Sequence, residues 1–215
     1  MIYLDTDMLV IQDITDLFSI GLWRDQSCHL KFAAAPKMLP ASEFDSGLML
    51  FRPDFNEYTD MLRMVKNGDT VGQGFDEFIN DYFSDWYTMG HHNRLSPIYN
   101  APYAWTKDDS WVRYRLEIKM VHFSGDEKPW QILKNPSKFQ VSKHAAPLIY
   151  VWAILMFFIA NPLGDGLEEE TRYVMKEVYD ATKNSKDVAE YIEKMKRGGT
   201  RKRLALKTAQ IKEEL

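Results

Sequence analysis

The segment Tyr3-Leu4-Asp5-Thr6-Asp7-Met8-Leu9-Val10-Ile11 constrains this chain more than any other. Apolar residues flank an Asp-x-Asp, which reads as a strand that stops at two carboxylates and then resumes. Two aspartates one residue apart at a strand end can hold a divalent cation through hard oxygen ligands, leaving positions open for a phosphate. A solvated acidic turn fits the same residues, so the downstream sequence has to separate the two readings.

The 215 residues, 45% hydrophobic and 13% aromatic, suit one globular domain with a sizeable core and room for an appendage. A formal net charge of -4 argues against a general nucleic-acid binder, whose footprint is basic. Cys28 is the only cysteine, which excludes an intrachain disulfide and a cysteine-based zinc site. The residues ahead of Asp5 are too few for the n-region and h-region of a signal peptide. A chain that opens on such a strand is expected to have lost sequence N-terminal to it.

Downstream, strand and helix patterns alternate. Residues 13–18 read as a short helical turn, and residues 29–35 and 46–51 as strands, the latter stopped by Arg52-Pro53. Asp54 can cap a helix running to about Lys66, with apolar residues at Phe55, Tyr58, Met61, Leu62 and Val65, closed by Asn67-Gly68-Asp69. A second helix is expected over 72–83. Residues 116–123 alternate as a strand closed by Ser124-Gly125-Asp126. Such a mixture argues for a layered α/β domain. Residues 145–164 carry no formal charge; Pro147 fits the first turn of a helix and Asn161-Pro162 ends it. Its apolar stretch is shorter than the ~20 residues a membrane span needs, which favours a buried helix and leaves weak membrane association through 145–164 open. From Asp165 the chain turns charged and helical, and its basic run 195–203 reads as a solvated tail, a targeting segment or a phosphate patch.

A second informative segment is Val121-His122-Phe123-Ser124-Gly125-Asp126-Glu127-Lys128-Pro129-Trp130. His122 at a strand end can supply a neutral imidazole to a metal already held by two carboxylates. Gly125 permits close backbone approach by a ligand, and Lys128 is a point cation suited to a diphosphate. Taken alone, His122 also reads as a structural histidine and Lys128 as a surface lysine. Phe44-Asp45-Ser46-Gly47 and Asp69-Thr70-Val71-Gly72-Gln73-Gly74-Phe75 put small and polar residues where a strand or a helix begins. Amides and short side chains there can hydrogen-bond a sugar, although ordinary turns use the same residues. His91 and His92 form no site, because neighbours in sequence point in different directions.

With these segments in this order, together with Pro97-Ile98-Tyr99-Asn100, the chain resembles the glycogenin-like glycosyltransferases of family 8, which have a GT-A fold. The resemblance covers roughly residues 2–130. It implies a retaining transfer of a hexose, or another sugar, from a nucleotide sugar, most often a UDP-sugar, to a hydroxyl of a glycan or protein acceptor. It implies Asp5, Asp7 and His122 as Mn2+ ligands and Gly125 and Lys128 as diphosphate contacts. Asp45, Ser46, Gly47 and Gly74 fall around the donor sugar and the acceptor, with Asp69 and Gln73 as the catalytic polar groups. The implied fold is an incomplete GT-A α/β domain, a mixed sheet flanked by helices, over 1–142. An apolar helix at 143–164 and a charged helical tail at 165–215 follow. A homodimer is expected by analogy, and the cytoplasm and the Golgi both stay open as compartments.

The chain departs from the family pattern in definite ways. The nucleotide-binding strands that precede the Asp-x-Asp are missing, Asp45 stands where the family has asparagine, and Gly72-Gln73-Gly74 stands where it has Asp-Gln-Gly. Between Asn100 and His122 there is no clear counterpart of the tyrosine that glycogenins glucosylate on themselves; Tyr103 and Tyr114 come nearest. These changes favour another acceptor, and they motivate the alternative of a non-catalytic, transferase-like interaction protein.

Overall fold

The structure is a computed structural model that describes residues 1–20, 32–68, 74–88, 93–134 and 138–160. Its chain opens with strands β1 (Ile2–Leu4) and β2 (Met8–Val10) and a 3-10 turn at Thr15–Ser19. Strands β3 (Phe32–Pro36) and β4 (Phe44–Phe51) follow, then helices α1 (Phe55–Asn67) and α2 (Phe75–Tyr82). A 3-10 turn at Pro97–Tyr99 leads to β5 (Ala101–Pro102), a further one at Tyr103–Lys107 to α3 (Asp109–Tyr114), and then come β6 (Met120–His122), α4 (Pro129–Lys134) and α5 (Ala146–Ala160). The α/β expectation holds, with the strands divided between two three-stranded sheets ordered β1-β4-β3 and β2-β6-β5.

β1 and β2, which the sequence presents as one interrupted run, therefore lie in different sheets, and Asp5-Thr6-Asp7 is the passage between them. β4 is the centre of the first sheet, antiparallel to β1 with Tyr3 opposite Met49 and to β3 with Ala34 opposite Met49. In the second sheet β2 runs antiparallel to β6, which sets Met8 opposite His122.

The chain divides into two compact units: Met1–Ala101 with Glu117–His122, and Pro102–Leu116 with the described residues from Phe123 on. In the first unit both faces of the first sheet are covered, because side chains alternate along a strand. Ala33, Ala35, Leu48 and Leu50 pack with Leu17, Leu95 and Met120, whereas Phe32, Ala34 and Met49 pack with Ile79 and Trp86. Burial on both faces is why residues 46–51 read as a near-continuous apolar run.

Local chemistry sets the ends of α1. The Asp54 carboxylate accepts the N–H groups of Asn56 at 2.8 Å and Glu57 at 3.3 Å, and Gly68 closes the helix at φ 80°. Only part of its apolar stripe reaches the core: Met61 packs against the Phe32–Met49–Trp86 cluster, whereas Phe55 is 79%, Tyr58 60% and Val65 51% exposed. The strand expected over 116–123 shortens to Met120–His122: α3, capped by Asp108 on the Ser110 N–H at 2.7 Å, ends at Tyr114, and the turn that follows it occupies 115–117.

In the second unit α5 buries Leu148, Ile149, Tyr150, Val151 and Ala153, and Trp152 meets Trp130 of α4 with ring centres 5.8 Å apart. Among the described residues no helix is long and apolar enough to cross a membrane. The expected stop at Asn161-Pro162, the tail over 165–215, and His91 and His92 lie outside the described residues.

Candidate metal centre

The Asp5 N–H donates to the Gly47 carbonyl of β4 at 2.9 Å, which pins the acidic turn to the first sheet. The β2–β6 register then carries the turn into the second sheet, so Asp7, one residue before Met8, comes beside His122. Nε2 of His122 lies 3.3 Å from Oδ1 of Asp7. Asp7 and His122 are buried and Asp5 is half-buried, and one ligand atom from each lies within 4.8 Å of the others.

Two ligands adjacent on an ion with bonds of about 2.1 Å stand about 3 Å apart, so the Asp7–His122 separation suits a shared cation. Carboxylate oxygens suit Mg2+, Ca2+ and Mn2+, and imidazole is the commonest nitrogen ligand. The three residues fit a divalent cation, as the sequence led one to expect.

The other ring nitrogen faces away from this cluster. Nδ1 of His122 lies 3.0 Å from Oδ1 of Asp45 on β4. That same oxygen accepts the Gly47 N–H and the Asn100 Nδ2, each at 2.9 Å. Burial on its own would lift the Asp45 carboxyl, but the imidazole, the Asn100 amide and the Gly47 N–H outweigh it and hold the group below the usual carboxylate range. Burial would likewise depress His122, but the Asp45 contact and the charges of Asp45, Asp7 and Asp5 raise it above its ordinary value.

Glycine at position 47 is a steric requirement. A Cβ there would lie 2.5 Å from His122 Cε1 and 2.6 Å from Nδ1, so the imidazole rests directly on the β4 backbone. The Gly47 N–H and C=O are engaged by Asp45 and Asp5.

Ser46 is buried, and its N–H donates to Asp76 Oδ1 at 3.1 Å, while Asp76 Oδ2 pairs with Lys37 at 2.5 Å. Asn80 grips Phe44 by both backbone groups at 2.9 Å, fastening α2 to the start of β4. Gly74 sits at the N-cap of α2. Asp69 and Gln73 lie outside the described residues. Gly125 and Lys128 belong to the second unit. There Gly125 takes φ +85°, a conformation that favours glycine, and Lys128 Nζ donates to the Phe123 carbonyl at 2.8 Å. The first unit thus brings together Asp5, Asp7, Asp45, Gly47 and His122. Sequence reasoning assigned no role to Asn100, although it closes the Pro97-Ile98-Tyr99-Asn100 segment that contributes to the resemblance.

No family model matches the chain. Human glycogenin-2 is 27% identical over 161 residues, which are 70% of this chain and 30% of that protein. Glycogenin-1 of Caenorhabditis elegans is 29% identical over 131 residues, 60% of this chain and 28% of that protein. Glycogenin of Cryptococcus neoformans var. grubii is 33% identical over 149 residues, 62% of this chain and 15% of that protein. The solved structure of apo-form glycosyltransferase GlyE from Streptococcus pneumoniae TIGR4 aligns with a TM-score of 0.47 at 21% identity, covering 83% of this chain and 42% of that one. The chain spans less than half the length of these curated relatives.

Proposed function

We propose that the chain is a glycogenin-like member of glycosyltransferase family 8 and that it moves a hexose, or another sugar, from a UDP-sugar to a hydroxyl of a glycan or protein with retention of configuration, a reading supported by its similarity to glycogenins. The observation that carries the reading is that one ligand atom each from Asp5, Asp7 and His122 lies within 4.8 Å of the others. In this reading they hold Mn2+, which when bound offsets the negative charge that builds on the diphosphate as the sugar departs. Lys128 and the Gly125 backbone contact the diphosphate. Asp45, Ser46, Gly47 and Gly74 flank the donor sugar, and Asp69 and Gln73 orient the sugar and the acceptor. The acceptor oxygen forms its bond to the anomeric carbon from the face the phosphate oxygen leaves, and the hydroxyl proton goes to that departing oxygen. The transferase part spans 1–142, followed by the apolar helix at 143–164 and the tail at 165–215, and two chains pair as a homodimer. A two-carboxylate hydrolase is less apt, because Asp5 and Asp7 share one turn instead of flanking a scissile bond.

Calorimetric titration of UDP-glucose into the Mn2+-loaded protein tests the reading. Saturable binding that disappears with a chelator and in Asp7→Ala supports it, and Asp7→Ala is expected to weaken Mn2+ by at least about a hundredfold. Protein that takes up Mn2+ and yet binds no UDP-sugar overturns it. Gly72, standing in place of an acid, favours a second reading in which the protein binds the donor without catalysis. Donor binding with neither transfer nor hydrolysis on long incubation would decide for that reading.

A further inference from the structure

Resting on the metal reading above, and going beyond its ligand set, we propose that Asp76 of α2 is a positioning residue for the metal centre. It braces an arch of β4 against which both Asp5 and His122 are placed. The arch shows in the register of the first sheet. Ala34 lies opposite Met49 and the next residue, Ala35, opposite Asp45, so Ser46, Gly47 and Leu48 have no counterpart on β3. Such a bulge interrupts the ladder and re-aims the residues it contains. Leu48 is still held from the other edge, opposite Leu4 of β1.

Backbone N–H groups taken from water need a partner, and the bulge leaves Ser46 none on β3. Ser46 is buried, and its N–H donates instead to Asp76 Oδ1 at 3.1 Å. A carboxylate is a stronger acceptor than the peptide carbonyl it replaces. Asp76 is itself held, because it lies in the first turn of α2 and Lys37 pairs with its other oxygen at 2.5 Å. The residue after Ser46 is the one on which two ligands depend. Gly47 accepts the Asp5 N–H at 2.9 Å, and the His122 ring lies 2.5 Å from where a Cβ of residue 47 would project. A shift of the arch therefore moves the seat of the acidic turn and the seat of the imidazole together. Asn80, one turn along α2, bonds both backbone groups of Phe44, ahead of the arch, so it fastens the same helix to the same strand without bracing Ser46.

The test combines Mn2+ affinity, read from the electron paramagnetic resonance of free Mn2+, with hydrogen exchange of the Ser46 amide in metal-free protein. The Asp76 side chain is 36% exposed, so Asp76→Ala is expected to fold. It should speed Ser46 exchange by about tenfold or more and weaken Mn2+ by about 10- to 100-fold. Asp76→Asn keeps an acceptor oxygen without the charge, and should stay within about threefold of wild type in both measurements. Asn80→Ala should lower stability in denaturant with Mn2+ affinity within about twofold of wild type. If Asp76→Ala binds Mn2+ within about twofold of wild type while Asp7→Ala does not, the inference fails and the metal reading survives. Equal losses of Mn2+ affinity in Asp76→Ala and Asp76→Asn would assign the effect to charge, and an equal loss in Asn80→Ala to helix docking at large; either overturns the inference. Wild type that binds no Mn2+ removes the metal reading, and the role of Asp76 with it.

Discussion

The two sheets of the first unit use the same antiparallel pairing to different ends. The first, β1-β4-β3, is built on the eight residues of β4 and is covered on both faces, with Leu48 and Leu50 fully buried. The second rests on two strands of three residues, β2 and β6, and leaves Val10 40% exposed. The first contributes the hydrophobic mass. The second delivers one imidazole to a fixed place against it. The metal candidates lie at the seam, where Asp5 is tied to β4 and His122 rests on Gly47. At this seam the candidate histidine comes from the small sheet, and the two candidate carboxylates come from the turn that joins the sheets and is tied to β4.

Damage to the large sheet should have the largest effect on stability. Leu48→Ala is expected to cost about 2–5 kcal/mol in denaturant unfolding, with Mn2+ affinity of the folded protein unchanged. A loss well below that range would mean the first sheet is not the principal support. Gly47→Ala strikes the seam itself. Its methyl group would overlap the His122 ring, so the expected cost is about 1–3 kcal/mol together with weaker Mn2+ binding. Stability lost with Mn2+ affinity intact would uncouple the ring's seat from the cation and break the comparison.

The smallest effect belongs to the rim of the small sheet, where Lys119, just before β6, pairs with Asp16, whose other donor is the Tyr99 hydroxyl. Asp16 is 47% exposed, so Lys119→Ala should cost no more than about 1 kcal/mol. Burial would raise the Asp16 carboxyl, but Lys119 and Tyr99 prevail and hold it below the ordinary carboxylate value. A depressed carboxylate contributes stability above its unfolded pKa and loses it as pH falls through the folded one. The difference between wild type and Lys119→Ala should therefore vanish in acid, and unfolding curves in which it persists would assign the effect to packing of the lysine stem.

What could be read from the chain depended on how far apart the cooperating residues lie. The ends of α1 were legible because Asp54 and Gly68 act on amides and carbonyls within one turn. Whether its apolar stripe is buried was not, since periodicity reports a face and says nothing of what meets it. The strand at 116–123 was overextended because the turn that follows α3 occupies its first residues, and alternation alone does not mark where a strand begins. The carboxylate pair and the strand-end histidine were visible as chemistry. The contact of Asp45 with the ring, and the part Asn100 plays behind it, were not.

By itself the sequence offered the candidate ligands: two acids one residue apart and one imidazole far downstream. Only the tertiary structure decided that β1 and β2 belong to different sheets, that Asp7 and His122 meet, and that Asp45 backs the ring. Local propensity acts over a few residues, whereas these contacts join positions tens of residues or more apart. Such contacts exist only once loop closure has been compensated by burial and strand register has been set.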